Sequence, residues 1–527
     1  MKLSELLSKT IVAGPWEKIG VFPHHGINLP LSALHTKNSC GIGEFFDLIP
    51  MIDWCSNLKL DVLQLLSLND SGDDPSPYFC ISSCALNSLF LSLHALPDVQ
   101  RHPSLQKKME KMHLLNQSPR VQYEEVQKHK LVFLREYFDL EGQSLLKTKK
   151  FEKFSSENSW VKPYALFKAL KHRVSKNHWT AWPKDLINPD KAEYTKLLKE
   201  HASDVLFYTL LQYLSFSQLE DVKKYADRKK VHLFGDIPIL LSSDSADVWH
   251  HPEFFDLHQQ AGSAPDMFNE KGQAWGFPIM RWEAMKNSHY SFWKERLAVA
   301  SRFYHIYRID HVIGLFRIWA IPMGHPSKDG TYIPHDINEW IPHGETILKM
   351  MAKHSPMLPI AEDLGVVLPI MRETLTKMGI CGIKVIRWER NWDGDKSFIP
   401  FEEYNPISLT TVSTHDSETL SLWWRDLPEE AKAFAHFKNW KYTPELSIAH
   451  RREILWDSHH TNSLFHVKLL QEYLALFPEL VSPVHENERI NVPGSILPSN
   501  WTYRFRPSVE ELLQHENLRL EMVKITT

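Results

Sequence analysis

The sequence predicts an α/β protein, a (β/α)8 TIM barrel with helical and loop insertions forming subdomains around the face that carries the chemistry. Three observations predict it. Short apolar, strand-like runs recur along the 527 residues, with helical stretches between them. Three of the runs break into an acid, at Tyr307-Arg308-Ile309-Asp310, at Leu358-Pro359-Ile360-Ala361-Glu362 and at Thr410-Thr411-Val412-Ser413-Thr414-His415-Asp416. These acids follow one another at intervals of 52 and 54 residues, a spacing that suits β/α units carrying insertions. In such a barrel the C-terminal strand ends converge on one face, so acids at three of them form one site.

Taken in order, residues 26–32 read as the first barrel strand and 61–68 as the second. After Ser76-Pro77-Tyr78 the pattern changes. From about 95 to 228 the chain is rich in Lys, Glu, Gln and His, with apolar residues such as Leu131, Leu134 and Phe138 at helical intervals. This predicts a mainly helical subdomain inserted after the second strand. The third strand, 231–238, again carries an acid near its end, Asp236. Residues of about 240–285 read as one long loop, far above the ~2–6 residues usual for a βα connection, and their Trp, Phe and Pro content argues for order. An amphipathic helix over 288–303, with Trp293, Leu297 and Ala300 spaced four and three apart, then leads into the fourth strand. The fifth ends at Glu362, the sixth covers 382–388 and the seventh ends at Asp416. A helical insertion over about 426–485 follows, and residues 490–492 are expected to close the barrel. No internal repeat, low-complexity tract or long linker divides the chain, so residues 1–527 read as a single catalytic unit.

Composition narrows the partners. The net charge of −4 provides no basic field for nucleic acid or an anionic membrane, so a neutral partner is expected. The cysteines at 40, 55, 80, 84 and 381 are odd in number and lack paired metal-site spacing, which suggests reduced thiols in a cytoplasmic protein. No apolar run approaches the ~18–20 residues of a membrane span, and no secretory signal is evident. The absence of H-x-x-x-H and H-E-x-x-H patterns speaks against a catalytic metal, and no cofactor is implied.

Side chains alternate along a strand, so Arg308 and Asp310 project the same way, and the guanidinium is expected to keep Asp310 ionised. An anion held ready suits a nucleophile. Glu362 follows an apolar run and sits beside Asp363, surroundings expected to raise its pKa and to suit a general acid/base. His311 and His415 each adjoin an acid and are placed to donate hydrogen bonds.

The motifs R-I-D-H, A-E-D-L-G and T-H-D, in this order, resemble the 4-α-glucanotransferase family, also called amylomaltase or disproportionating enzyme. The resemblance runs almost end to end. It includes Gly26-Ile27-Asn28-Leu29-Pro30-Leu31-Ser32, Gly41-Ile42-Gly43-Glu44 and Ser76-Pro77-Tyr78 early in the chain. Mid-chain it includes Gly235-Asp236-Ile237-Pro238 and Gly272-Gln273-Ala274-Trp275-Gly276-Phe277-Pro278, and late in the chain Ile490-Asn491-Val492-Pro493-Gly494 and Asn500-Trp501.

The resemblance implies a retaining transfer of glucosyl or maltooligosyl segments of α-1,4-glucans to a glucose 4-hydroxyl. Asp310 would be the nucleophile, Glu362 the general acid/base and Asp416 the third carboxylate, which grips hydroxyls as the ring flattens. Tyr78, Asp266, Gln273, Trp275, Arg308, His311 and His415 would bind substrate. Maltooligosaccharides, glucose and glycogen-derived glucans would be the partners. The three acids alone leave open a retaining α-glucan hydrolase, and the 266–278 stretch, which resembles the transferases, favours transfer. Two departures stand out: Asp266-Met267-Phe268 where many relatives have Asp-Tyr-Phe, and Trp275-Gly276-Phe277-Pro278 where many have Trp-Gly-Asn-Pro.

Overall fold

The computed structural model describes residues 2–174, 176–265 and 270–527. The strands in chain order are β1 (His24–Leu29), β2 (Val62–Leu65), β3 (His232–Ile237), β4 (Phe255–Ser263), β5 (Gln273–Met280), β6 (Ile306–Ile309), β7 (Ile318–Pro322), β8 (Thr331–Ile333), β9 (Leu358–Ala361), β10 (Cys381–Val385), β11 (Ser408–Thr411) and β12 (Phe465–Leu469). Eight of them close a parallel barrel in the order β1-β2-β3-β6-β9-β10-β11-β12, as the sequence predicts. Barrel strands are covered on both faces and therefore read as unbroken apolar runs, as in Val62-Leu63-Gln64-Leu65 and Leu358-Pro359-Ile360-Ala361, buried throughout. Gly26 is required in β1, since a Cβ there would lie 2.3 Å from the Val62 carbonyl oxygen.

Between β2 and β3 the chain is helical, including Pro103–His113, Tyr123–Leu146, Val161–Arg173 and Ala202–Lys229. Buried polar contacts fasten these helices to the barrel's upper rim. Lys130 pairs with Glu44, both fully buried. Tyr164 Oη and Lys168 Nζ reach Asp70, in the loop after β2, at 2.6 and 3.0 Å. No helix among the described residues is long and apolar enough to cross a membrane.

Two sequence expectations need correction. Most of the 240–285 stretch is not a loop. β4 and β5 within it form an antiparallel sheet with β7 and β8, in the order β5-β4-β7-β8. The strand pattern was hidden because β5 contains Gly276, at φ +77°, and Pro278, while β4 shifts register on both sides of Gln260. The closing strand is β12, inside the stretch expected to be helical, and not residues 490–492. Its outward-facing His466 and Lys468 are buried against the helix Ile448–His459, where both contact the Ser458 carbonyl, so polar residues disguised a buried strand.

Candidate active site

The strand register brings the first two acids together. β6 and β9 pair up to Ile309↔Ala361, so Asp310 and Glu362 occupy the next rung of neighbouring strands. Parallel strands lie ~4.8 Å apart, within reach of the ~5–5.5 Å carboxyl separation of retaining glycosidases. The chain then turns through His311 at φ +47°, a left-handed conformation that costs ~1–3 kcal/mol in a non-glycine residue and tends to occur where function holds it. That turn aims the His311 N–H at Glu362 Oε2, 2.7 Å away, while the Leu364 N–H donates to Oε1 at 3.2 Å.

Arg308 joins the neighbouring groups. Its Nη2 donates to Asp310 Oδ1 at 2.7 Å, and with Nε it also holds Asp236, across the rung on β3, at 2.8 and 3.0 Å. The Tyr78 hydroxyl donates to Asp236 Oδ2 at 2.7 Å and lies 2.9 Å from the same guanidinium. Asp310 keeps 27 % of its side-chain surface open.

The expectation that Arg308 keeps Asp310 ionised needs correction. Burial is the largest influence and raises Asp310 to about 7, with Asp236 and Glu362 adding to the rise against the pull of Arg308. The guanidinium is shared with Asp236, which weakens its hold on Asp310. Burial likewise raises Glu362 to about 7, as expected, with Asp363 adding and Arg308 and the two backbone N–H groups opposing. The two carboxyls therefore compete for protons near neutrality, and a pair holding one proton between them can supply both an acid and a nucleophile.

Asp416 behaves differently. It lies in the turn after β11 and not on the strand itself. Burial opposes its ionisation, but His415, with Nε2 3.3 Å away, and the Asn491 amide, donating at 2.7 Å, hold it down to about 2. With 47 % of its side chain exposed it is open for contact. The ring of His415 stacks on Tyr78 at 5.2 Å, and Trp501 flanks both at 5.7 and 5.4 Å.

The four-stranded sheet reaches the site through Trp275, whose ring meets His311 edge-on at 4.9 Å and whose Nε1 donates to Gln273 Oε1 at 2.8 Å. Burial lowers His311 to about 4, so its ring is neutral at physiological pH. Asp266 and Met267 lie outside the described residues. The sequence profile of the family described as 4-alpha-glucanotransferase matches residues 29–510. The chain belongs to that family.

A 4-alpha-glucanotransferase of Chlamydia pneumoniae is 46 % identical over 522 residues, covering 98 % of this chain and 97 % of the relative. One of Synechocystis sp. is 30 % identical over 489 residues, covering 89 % and 91 %. Among solved structures, an amylomaltase from Streptococcus agalactiae in complex with acarbose shares the fold, with a TM-score of 0.80 at 24 % identity over 96 % of this chain and 99 % of that one. As a 4-α-glucanotransferase, this family member is an enzyme acting on α-glucans. The structure adds site residues that sequence reasoning left without a role: Asn491 on Asp416, Trp501 beside Tyr78, and the contact of Phe79 with Phe277 at 4.9 Å. The motifs holding Asn491 and Trp501 signalled both positions, but residues 490–492 read as a strand and drew attention from the Asn491 side chain.

Proposed function

We propose that the enzyme transfers glucosyl or maltooligosyl segments from an α-1,4-glucan to the 4-hydroxyl of glucose or another glucan by retaining double displacement. Asp310 attacks the anomeric carbon while Glu362 protonates the departing oxygen, leaving a covalent glycosyl-enzyme. Glu362 then takes the proton of the incoming 4-hydroxyl, whose oxygen displaces Asp310. Asp416, held ionised, grips ring hydroxyls and stabilises the charge that grows as the ring flattens. Tyr78, Arg308, His311, His415, Gln273 and Trp275 line the sugar site, and the resemblance adds Asp266. The observation that carries this reading is the placement of Asp310 and Glu362 on one rung with Arg308 at Asp310.

The sheet arm supports transfer over hydrolysis, because a wall reaching His311 limits the entry of water to the intermediate. Maltooligosaccharides, glucose and glycogen-derived glucans are the proposed substrates, with the helical insertion and the sheet arm walling the groove. Five free, buried cysteines accord with a cytoplasmic setting. Incubated with maltotriose alone, the enzyme should yield glucose and a ladder of longer maltooligosaccharides with little net gain in reducing ends. Reducing ends rising in step with substrate loss, and no ladder, would identify a hydrolase instead.

A further inference from the structure

At the opposite end of the barrel from Asp310, the N-terminal ends of three neighbouring strands bring together His24 on β1, Asp61 just before β2 and His232 on β3. One ligand atom from each lies within 4.8 Å of the other two. His24 is fully buried, and its hydrogen bonds constrain its chemistry. Nε2 lies 3.1 Å from the Gly20 carbonyl oxygen, which can only accept, so Nε2 carries a hydrogen. Nδ1 lies 2.7 Å from Asp61 Oδ2. In a neutral ring that nitrogen offers a lone pair to a carboxylate oxygen, an arrangement that needs a cation between them, either a proton or a metal ion.

Three features favour a metal ion. Asp61 is fixed, its Oδ1 accepting the His25 N–H at 3.0 Å, so Oδ2 alone points into the cluster. The His24 ring gives its other N–H to a backbone carbonyl, the support that metal-bound imidazoles usually have. His232 makes no side-chain hydrogen bond among the described residues, so one of its ring nitrogens is free to ligate, and one lies within 4.8 Å of the His24 and Asp61 ligand atoms. His305, at 5.4 Å ring to ring, is already committed: one nitrogen accepts the Leu233 N–H at 2.9 Å and the other contacts Asp227 at 2.6 Å.

We propose that His24 Nδ1, Asp61 Oδ2 and one ring nitrogen of His232 bind a divalent transition-metal ion, Zn²⁺ fitting the donor set best, with water as fourth ligand. Two imidazoles and a carboxylate are a zinc donor set, and bonds of ~2.0–2.2 Å set tetrahedral ligand atoms ~3.3–3.6 Å apart, so Nδ1 and Oδ2 part from their 2.7 Å contact as the ion enters and the three atoms, now within 4.8 Å of one another, close around it. The ion ties the starts of β1, β2 and β3, a structural site remote from the sugar chemistry.

The test uses the full chain, stripped by chelator and titrated calorimetrically with Zn²⁺ alone. Surface histidines among the 29 in the chain will bind weakly, so the comparison between variants decides. Wild type should show one stoichiometric site that raises the melting temperature, and Co²⁺ in its place should give the strong visible absorption of a tetrahedral site. His232→Ala and, separately, the isosteric Asp61→Asn should each weaken the stoichiometric site by more than the ~10–100-fold typical of losing an outer-shell partner. Circular dichroism and melting of the metal-free variants establish that each is folded. A stoichiometric site retained in both variants, or none in wild type, overturns the proposal and leaves a proton shared between His24 and Asp61.

Discussion

At the barrel end, Asp310 and Glu362 are held by strand register, a left-handed turn and backbone N–H groups, whereas the sheet above them meets the site through rings, Trp275 on His311 and Phe277 on Phe79. In the first region the backbone dictates where each oxygen lies, and burial sets its charge. In the second, position depends on aromatic contacts worth ~0.5–1.5 kcal/mol each beyond their area. The reaction is therefore expected to be all-or-none in its dependence on the strand ends and graded in its dependence on the arm.

Asp310→Asn gives the largest expected effect. It removes the proposed nucleophile but keeps the shape, so turnover should fall well beyond the ~10²–10⁴-fold typical of acid/base help, while oligosaccharide binding survives. Steady-state transfer from maltotriose, with binding measured by calorimetry, checks both. A variant retaining more than about a hundredth of the rate would mean that the strand-end pair is not the reacting pair.

The pH dependence sharpens the same side of the comparison. Both carboxyls titrate near about 7, and the form that the proposed mechanism uses has Asp310 ionised and Glu362 protonated. As pH falls through that value Asp310 takes a proton and the nucleophile is lost. As pH rises through it Glu362 loses the acid proton. The profile of kcat/KM should be a bell around neutrality, and Asp416, ionised down to about 2, should add no limb to it. With an activated donor such as a glucosyl fluoride, which needs no proton, Glu362→Gln should lose the alkaline limb and keep the acid one. An unchanged alkaline limb would assign it to another group.

The two regions also differ in how far the sequence reveals them. Arg308, Asp310 and Glu362 follow apolar runs whose alternation puts them at strand ends, so local pattern and final position coincide, and the whole barrel except its last strand could be read in this way. The local charge of Asp310 was harder to foresee, because Asp236 takes a share of Arg308 through a pairing 72 residues distant. The arm resisted reading for a related reason. β4 and β5 carry a glycine, a proline and shifted register, and what makes them strands is their pairing with each other and with β7, which no local pattern encodes. β12 failed similarly, since His466 and Lys468 look like solvent-facing residues until the helix above them is known.

The smallest expected effect lies in the arm and tests whether it is separable from the chemistry. Phe277 is only partly buried, and Phe79 keeps 38 % of its surface exposed, so their contact joins the arm to the loop that carries Tyr78 without belonging to a packed core. Phe277→Ala removes that contact. At ~0.5–1.5 kcal/mol the arm should loosen enough to raise the apparent KM for a long maltooligosaccharide donor by about two- to tenfold. The pH profile should stay in place, because Phe277 supplies neither charge nor hydrogen bond to Asp310 or Glu362 and their burial comes from the strand ends. A looser wall also admits more water to the glycosyl-enzyme, so reducing ends released per transfer should rise by a similar factor. Phe277→Asn, which keeps a flat side chain there but a smaller one, should fall between wild type and alanine for both quantities. Titrating donor length at fixed acceptor, with reducing ends and ladder products measured in the same samples, reads all three expectations. A loss as large as that of Asp310→Asn, or a displaced bell, would show that the arm helps to set the carboxyls after all, and the contrast between the two regions would fail.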